Sequence, residues 1–157
     1  MEPFTLTSST FEDGGMIPKN CTCDGANQSP ALQWGGAPLN TRSFVLIVDD
    51  PDAPKGTFTH WVLFDIPKAV QTLDVGQPAV GIAGINDAQQ PGYFGPCPPP
   101  GDPAHGYRFT LYALDVPTLG LGQTATRREV EGAMQEHVIA RAQLTGRYQR
   151  HERSAQA

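Results

Sequence analysis

Long apolar runs are missing from this 157-residue chain: no stretch approaches the roughly 18 consecutive apolar residues that a membrane-spanning helix needs. Basic charge is also in short supply. Eleven Lys and Arg stand against 16 Asp and Glu, for a formal charge of −5. That balance excludes general nucleic-acid binding, which requires a basic face to neutralise phosphates. The opening residues, Met1-Glu2-Pro3-Phe4-Thr5, have neither the basic region nor the apolar core of a secretory signal. A cytoplasmic location is therefore expected. Cysteine is scarce and odd in number, with Cys21, Cys23 and Cys97, and in a reducing compartment these thiols are expected to stay unpaired. Cys21-Thr22-Cys23 has one intervening residue and no second pair to complete a zinc tetrahedron. No metal role is assigned to them, and no cofactor is expected.

Proline and glycine are abundant. Fifteen Pro and 17 Gly are more than a helical bundle tolerates, because both break helix interiors. A 39% hydrophobic content is ordinary for a globule, and the length suits one domain with its own core. The expected architecture is mainly β, a single domain over residues 1–157 with a polar tail from about residue 150.

Asp13-Gly14-Gly15 and Asp24-Gly25-Ala26-Asn27 read as tight turns. Met16-Ile17-Pro18 and Leu32-Gln33-Trp34 read as strand fragments. Ser43-Phe44-Val45-Leu46-Ile47-Val48 predicts a strand buried on both faces, because its β-branched and aromatic run is too apolar for an exposed side. A second strand is predicted from Thr59 to Ile66, and a third from Tyr107 to Leu114, each stopped by a proline. Between them, residues 74–106 form a long Gly- and Pro-rich stretch, of a kind that is usually functional where it occurs. One helix is predicted. Thr126-Arg127-Arg128-Glu129 has the capping-box pattern, apolar residues recur at Val130, Ala133, Met134, Val138 and Ala142, and Gly146 offers a stop near residue 145.

Chemistry gathers at strand ends. Asp50 and Asp52 follow the buried strand, His60 opens the next, and His105 lies just before the third, with Tyr107 on the same side of an extended chain. If the three strands are sheet neighbours, two carboxylates, two imidazoles and a phenol converge at one end. Singly, each has a plainer explanation: turn aspartates, a core histidine beside Trp61, ordinary strand packing for Tyr107, and a rigid polyproline linker at Pro98-Pro99-Pro100.

Together these blocks resemble a known family. Asp50-Pro51-Asp52-Ala53-Pro54, His60-Trp61-Val62, Gly95-Pro96-Cys97-Pro98-Pro99 and His105-x-Tyr107 are similar to the signature blocks of phosphatidylethanolamine-binding proteins, in the bacterial branch labelled Raf-kinase-inhibitor-like. Asp24-Gly25-x-Asn27-x-Ser29-Pro30 and Asn86-Asp87…Gly92-Tyr93 extend the resemblance, as does the closing segment from His137 to Tyr148, to about residues 8–150. The resemblance implies a β-sandwich with a large central antiparallel sheet, a smaller second sheet and a C-terminal helix. It implies a pocket for phosphate, phosphorylethanolamine or a phospholipid headgroup, placing Asp50, Asp52, His60, Gly95, Pro96, His105 and Tyr107 around it. Gly106 stands where the family commonly has Arg, with Arg108 two residues on, and Ala88 replaces a common aromatic.

On this basis both imidazoles would offer ring N–H groups to an anion and backbone amides around Gly95 would approach it closely. One Asp would orient a His, while the other would receive an ammonium or serve the turn. Two other functions compete. Asp with two His is the raw material of a hydrolase or metal-dependent enzyme, though no Ser sits in a Gly-x-Ser-x-Gly turn. Eukaryotic relatives inhibit kinases or proteases, so a protein-interaction role and homodimerisation are further implications. Stable membrane insertion is not expected from an acidic chain lacking a basic amphipathic helix.

Overall fold

The computed structural model describes residues 3–76 and 80–150. Five strands form the central sheet, in the order β6-β4-β3-β7-β8, all neighbours antiparallel. They are β3 (Ser43–Asp50), β4 (Phe58–Pro67), β6 (Ile82–Ala83), β7 (His105–Leu114) and β8 (Val138–Tyr148). A smaller sheet orders β1 (Thr5–Thr7), β2 (Leu32–Gly35) and β5 (Thr72–Leu73) as β1-β2-β5. The helix α1 spans Arg127–Met134.

All eight residues of β3 are buried because both faces of the central sheet are covered. Phe44, Leu46 and Val48 point to one side, where with Trp61, Leu63, Phe109 and Leu111 they meet Leu6, Leu32, Trp34 and Leu73 of the small sheet. Val45 and Ile47 point to the other side and, with Val62 and Phe64, pack against Val130 and Met134 of α1. The strict alternation is the period-2 geometry of a strand. The expected two-sheet architecture is therefore present, with β3, β4 and β7 side by side. A 3₁₀ turn at Lys19–Cys21 and turns through residues 23–26 connect the early segments.

The helix starts where expected. Thr126 accepts the Glu129 amide and the Glu129 carboxylate accepts the Thr126 amide, completing the capping box. It ends at Met134, however, and the segment expected to continue it is strand β8. Val130, Met134, Val138 and Ala142 recur every four residues, and four is a multiple of the strand period as well as close to one helical turn. From Ala142 the buried positions are Ala142, Leu144, Gly146 and Tyr148, a strand's alternation. Gly146 is consequently no helix stop. A Cβ there would stand 2.6 Å from Ile17 Cγ1 and 2.7 Å from Phe11 Cε2, so glycine admits those side chains against the sheet.

β8 is an edge strand, and residues 13–17 close its far end. The Gly14 amide donates to Thr145 O at 2.6 Å, Ile17 to Arg147 O at 2.8 Å, and Arg147 to Gly15 O at 2.8 Å. The Asp13 carboxylate accepts the Thr145 amide at 2.9 Å. At the start of the expected polar tail the chain is anchored: the Gln149 side chain donates to Asp102 O at 3.0 Å and Arg150 pairs with Asp24 at 3.2 Å. The rest of the polar tail lies outside the described residues.

The three thiols are not all free. Cys23 and Cys97 form a disulfide across 74 residues of sequence, while Cys21 is free and buried. Counting cysteines supplied no pairing, because the contact is made by two loops that meet only in the fold.

Candidate functional site

Because β3 and β4 are joined by a tight connection and β7 pairs with β3 on its other side, the C-terminal end of β3 meets the starts of β4 and β7. Asp50, His60 and His105 accordingly line one cavity of ≈ 190 Å³, together with Phe58, Phe94 and the Cys97–Pro99 wall. All three polar residues are buried. The expected convergence of strand ends is present.

Asp50 is fully engaged. One carboxylate oxygen accepts the Asp52 amide at 2.7 Å, and the other accepts His105 Nδ1–H at 2.7 Å. His105 Nε2 lies 3.3 Å from the Asp102 carboxylate. Burial alone would lower the His105 pKa, but the hydrogen bond and charge of Asp50, joined by Asp102, outweigh it and the pKa is raised. His105 is thus favoured as an imidazolium between two carboxylates.

His60 is its opposite. Its Nδ1–H donates to the Phe94 carbonyl at 2.5 Å, and its ring stacks on Phe94 and meets Tyr107 edge-on. Burial lowers its pKa despite the nearby acids. A neutral ring with Nδ1 protonated carries a lone pair on Nε2. The expectation of an N–H offered by each imidazole therefore needs correcting: His60 has spent its own on the backbone.

Tyr107 lies between the two histidine rings with centroid distances of 5.3 Å to His60 and 6.3 Å to His105. Its hydroxyl is buried and, among the described residues, makes no hydrogen bond of regular geometry, with the Asp50 carboxylate nearby. Burial, then the Asp50 charge, raises its pKa, so it stays protonated.

Asp52, Gly95, Pro96 and Tyr107 are not among the cavity-lining residues. The Asp52 carboxylate accepts the Gly106 amide at 2.8 Å, which ties the β3–β4 connection to β7. The Gly95 amide donates to Asn27 at 2.7 Å, and a Cβ on Gly95 would stand 2.3 Å from Cys21 O and 2.5 Å from Asn27 Oδ1. Gly95 is needed for close packing against residues 21–27, and its amide is not free for an anion. The Pro96 carbonyl accepts the Cys23 amide at 3.1 Å. Arg108, two residues beyond His105-Gly106, pairs with Asp49 at 2.9 Å, as Arg127 does at 2.7 Å. An odd shift along a strand moves a side chain to the other face, but this one is even from Gly106, and both positions lie opposite His105 and Tyr107.

Sequence reasoning missed Asp102, Phe58 and Phe94. The only available signals were an acid three residues before His105 and aromatics beside the His60 and Gly95 motifs.

A separate cleft of ≈ 280 Å³ contains Arg127 and Arg128 beside Asp87 and Glu131. Arg127 is already held by Asp49, Thr59 and Glu131. A larger groove of ≈ 470 Å³ between β1 and β8 has Glu12 and Asp13 among mainly apolar residues. Neither cleft has an imidazole in its wall.

Residues 7–149 match the family model described as phosphatidylethanolamine-binding protein. A UPF0098 protein of Aquifex aeolicus is 49% identical over 148 residues, covering 91% of this chain and 86% of the relative. The lipoprotein-named LppC of Mycobacterium tuberculosis is 41% identical over 149 residues, covering 94% of this chain and 73% of LppC. The crystal structure of a phosphatidylethanolamine-binding protein homologue from Chlamydia trachomatis superposes with a TM-score of 0.90 at 37% identity, covering 96% of this chain and 99% of that one. Family match, sequence relatives and fold agree over nearly the whole length, and the chain belongs to the phosphatidylethanolamine-binding protein family.

Proposed function

We propose that the cavity at the end of the central sheet binds a small phosphate-bearing anion, free phosphate or a headgroup-sized ester such as phosphorylethanolamine. The observation that carries this is the unlike pair of imidazoles in one wall. His105, held by Asp50 with a raised pKa, supplies charge. His60, neutral with its Nδ1–H on Phe94, leaves Nε2 to accept a P–OH proton or to take up a proton with the ligand. Tyr107, whose ring packs against both imidazoles without lining the cavity, helps to fix their orientation. A cavity of ≈ 190 Å³ is below the roughly 300–1,000 Å³ of drug-sized ligand pockets, which favours a headgroup over an acyl chain. Charge-assisted hydrogen bonds contribute about 1.5–3 kcal/mol each before binding costs, so the expected affinity is micromolar to millimolar.

Binding is favoured over catalysis because Cys97, the sulfur residue in the cavity wall, is oxidised and carries no thiolate nucleophile. The disulfide also favours an oxidising compartment over the cytoplasm, as does the name of LppC. Nothing in the cavity points to a kinase or protease.

The test is an NMR titration of the histidine resonances with inorganic phosphate and phosphorylethanolamine. Both His60 and His105 signals are expected to shift, and His60→Ala and His105→Ala are each expected to weaken binding at least fivefold. Parent-like binding by both variants would falsify the assignment.

A further inference from the structure

Cys97 stands in the wall of the cavity, whereas its disulfide partner Cys23 is not among the residues that line it. Both are half-buried, unlike Cys21, which is fully buried. The two sulfurs of the bond have unlike surroundings. Arg150 Nη1 points at Cys97 Sγ from 3.7 Å, and no described residue donates to Cys23 Sγ. The guanidinium is held in that position. Its Nε pairs with Asp24 at 3.2 Å, and the Arg150 carbonyl accepts the Gly101 amide at 2.9 Å. Asp24 is fixed in turn by the Tyr148 hydroxyl, which donates to it at 2.6 Å.

A thiolate is stabilised by an adjacent cation, and thiol exchange expels the sulfur whose thiolate is the more stable. The charge on Arg150 therefore makes Cys97 the leaving sulfur and Cys23 the sulfur attacked. Cys21 takes no part, because burial shields it from solvent and raises its pKa, which keeps it a thiol.

We propose that the Cys23–Cys97 bond is a thiolation site through which a low-molecular-weight thiol sets the charge of the cavity wall. The small thiol loses its proton to water, and its thiolate attacks Cys23 Sγ. A bond forms between the incoming sulfur and Cys23, the Cys23–Cys97 bond breaks, and the electron pair stays on Cys97. One disulfide is exchanged for another, so no oxidant or reductant is consumed. The Cys97 thiolate then adds a negative charge to the wall that His105 makes receptive to phosphate. Its return attack on Cys23 expels the small thiol and restores the bond. The effect on phosphate rests on the anion-binding function proposed above, whereas the exchange stands without it.

The experiment treats the oxidised full chain briefly with glutathione, quenches with N-ethylmaleimide and maps the peptides by mass spectrometry. Glutathione should sit on Cys23 and maleimide on Cys97, with about a threefold preference or more over the reverse. Arg150→Gln should slow the exchange about threefold and erase the preference. Equal or reversed labelling in the parent, or an unchanged rate and pattern in Arg150→Gln, overturns the assignment. Phosphate titrations then compare Cys23→Ser, which keeps the Cys97 thiol, with the double variant Cys23→Ser/Cys97→Ser at about pH 8. The single variant should bind about threefold more weakly, or worse. Equal affinity overturns the effect on the cavity and leaves the exchange site standing. If neither variant nor the parent binds phosphate, the anion site and the effect on it fall together, and the labelling result is untouched.

Discussion

Replacing both Cys23 and Cys97 with Ser tests how much of the stability comes from the cross-link. The bond closes a loop with a sequence separation of 74. In the chain-entropy account, closing a loop of that length removes about 15 cal/mol/K from the unfolded chain, or about 4.5 kcal/mol at 25 °C. For a domain of this size each kcal/mol moves the thermal midpoint by about 2–4 °C, so the double variant should melt roughly 9–18 °C lower. Differential scanning calorimetry on the parent, the reduced parent and the double variant measures this, and the last two should coincide. Thiol titration should find no reactive group in the native oxidised chain, because Cys21 is fully buried, and one after denaturation. Native phosphate affinity should stay within about twofold, because the cavity wall is held independently by the Cys23 amide on Pro96 O and the Gly95 amide on Asn27. A midpoint shift under about 4 °C, or three reactive thiols in the oxidised chain after denaturation, would refute the reasoning.

Two other perturbations follow from the site. The raised His105 pKa favours folding most below the ordinary imidazole value of about 6.5, and that contribution fades as pH rises through the folded-state pKa. Phosphate affinity should fall over the same rise, and His105→Gln should flatten the dependence in calorimetric titrations from about pH 5 to 9. His60 runs the other way: its lowered pKa costs stability as pH falls below about 6.5, so its NMR midpoint should lie below that of His105. Gly95→Ala should destabilise the fold by about 2–3 kcal/mol in urea unfolding, because the new methyl meets backbone at Cys21 and the Asn27 side chain. Retained parental stability would show that those loops yield freely.

The central strands were legible because burial on both faces demands an unbroken apolar run, and Ser43–Val48 has one. The convergence of Asp50 and His60 was legible in the short β3–β4 connection, whereas His105 joins them through the β3–β7 pairing, made only after the long 74–106 stretch. The helix start was legible in a local motif, Thr126 to Glu129. Its end was not, since spacing by four satisfies two periods and only the partner strand β7 decides between them. Gly95 announced a close approach without naming the neighbour, which turned out to be Cys21 and Asn27 rather than a ligand. Which imidazole keeps a proton depends on the Phe94 carbonyl and on the Asp50 carboxylate, 34 and 55 residues away in sequence, and neither contact is local enough to read from the chain.

The zipper between residues 13–17 and the end of β8 has a consequence for biosynthesis. During translation the amino-terminal half of that seal emerges first and must wait, unpartnered, for more than a hundred further residues to be made. Until Thr145 to Arg147 leave the ribosome, the growing sheet ends at β7 with a bare rim of amides and carbonyls. The nascent chain is therefore most vulnerable to sticking to its neighbours until β8 has been made and has paired with β7 and with residues 13–17.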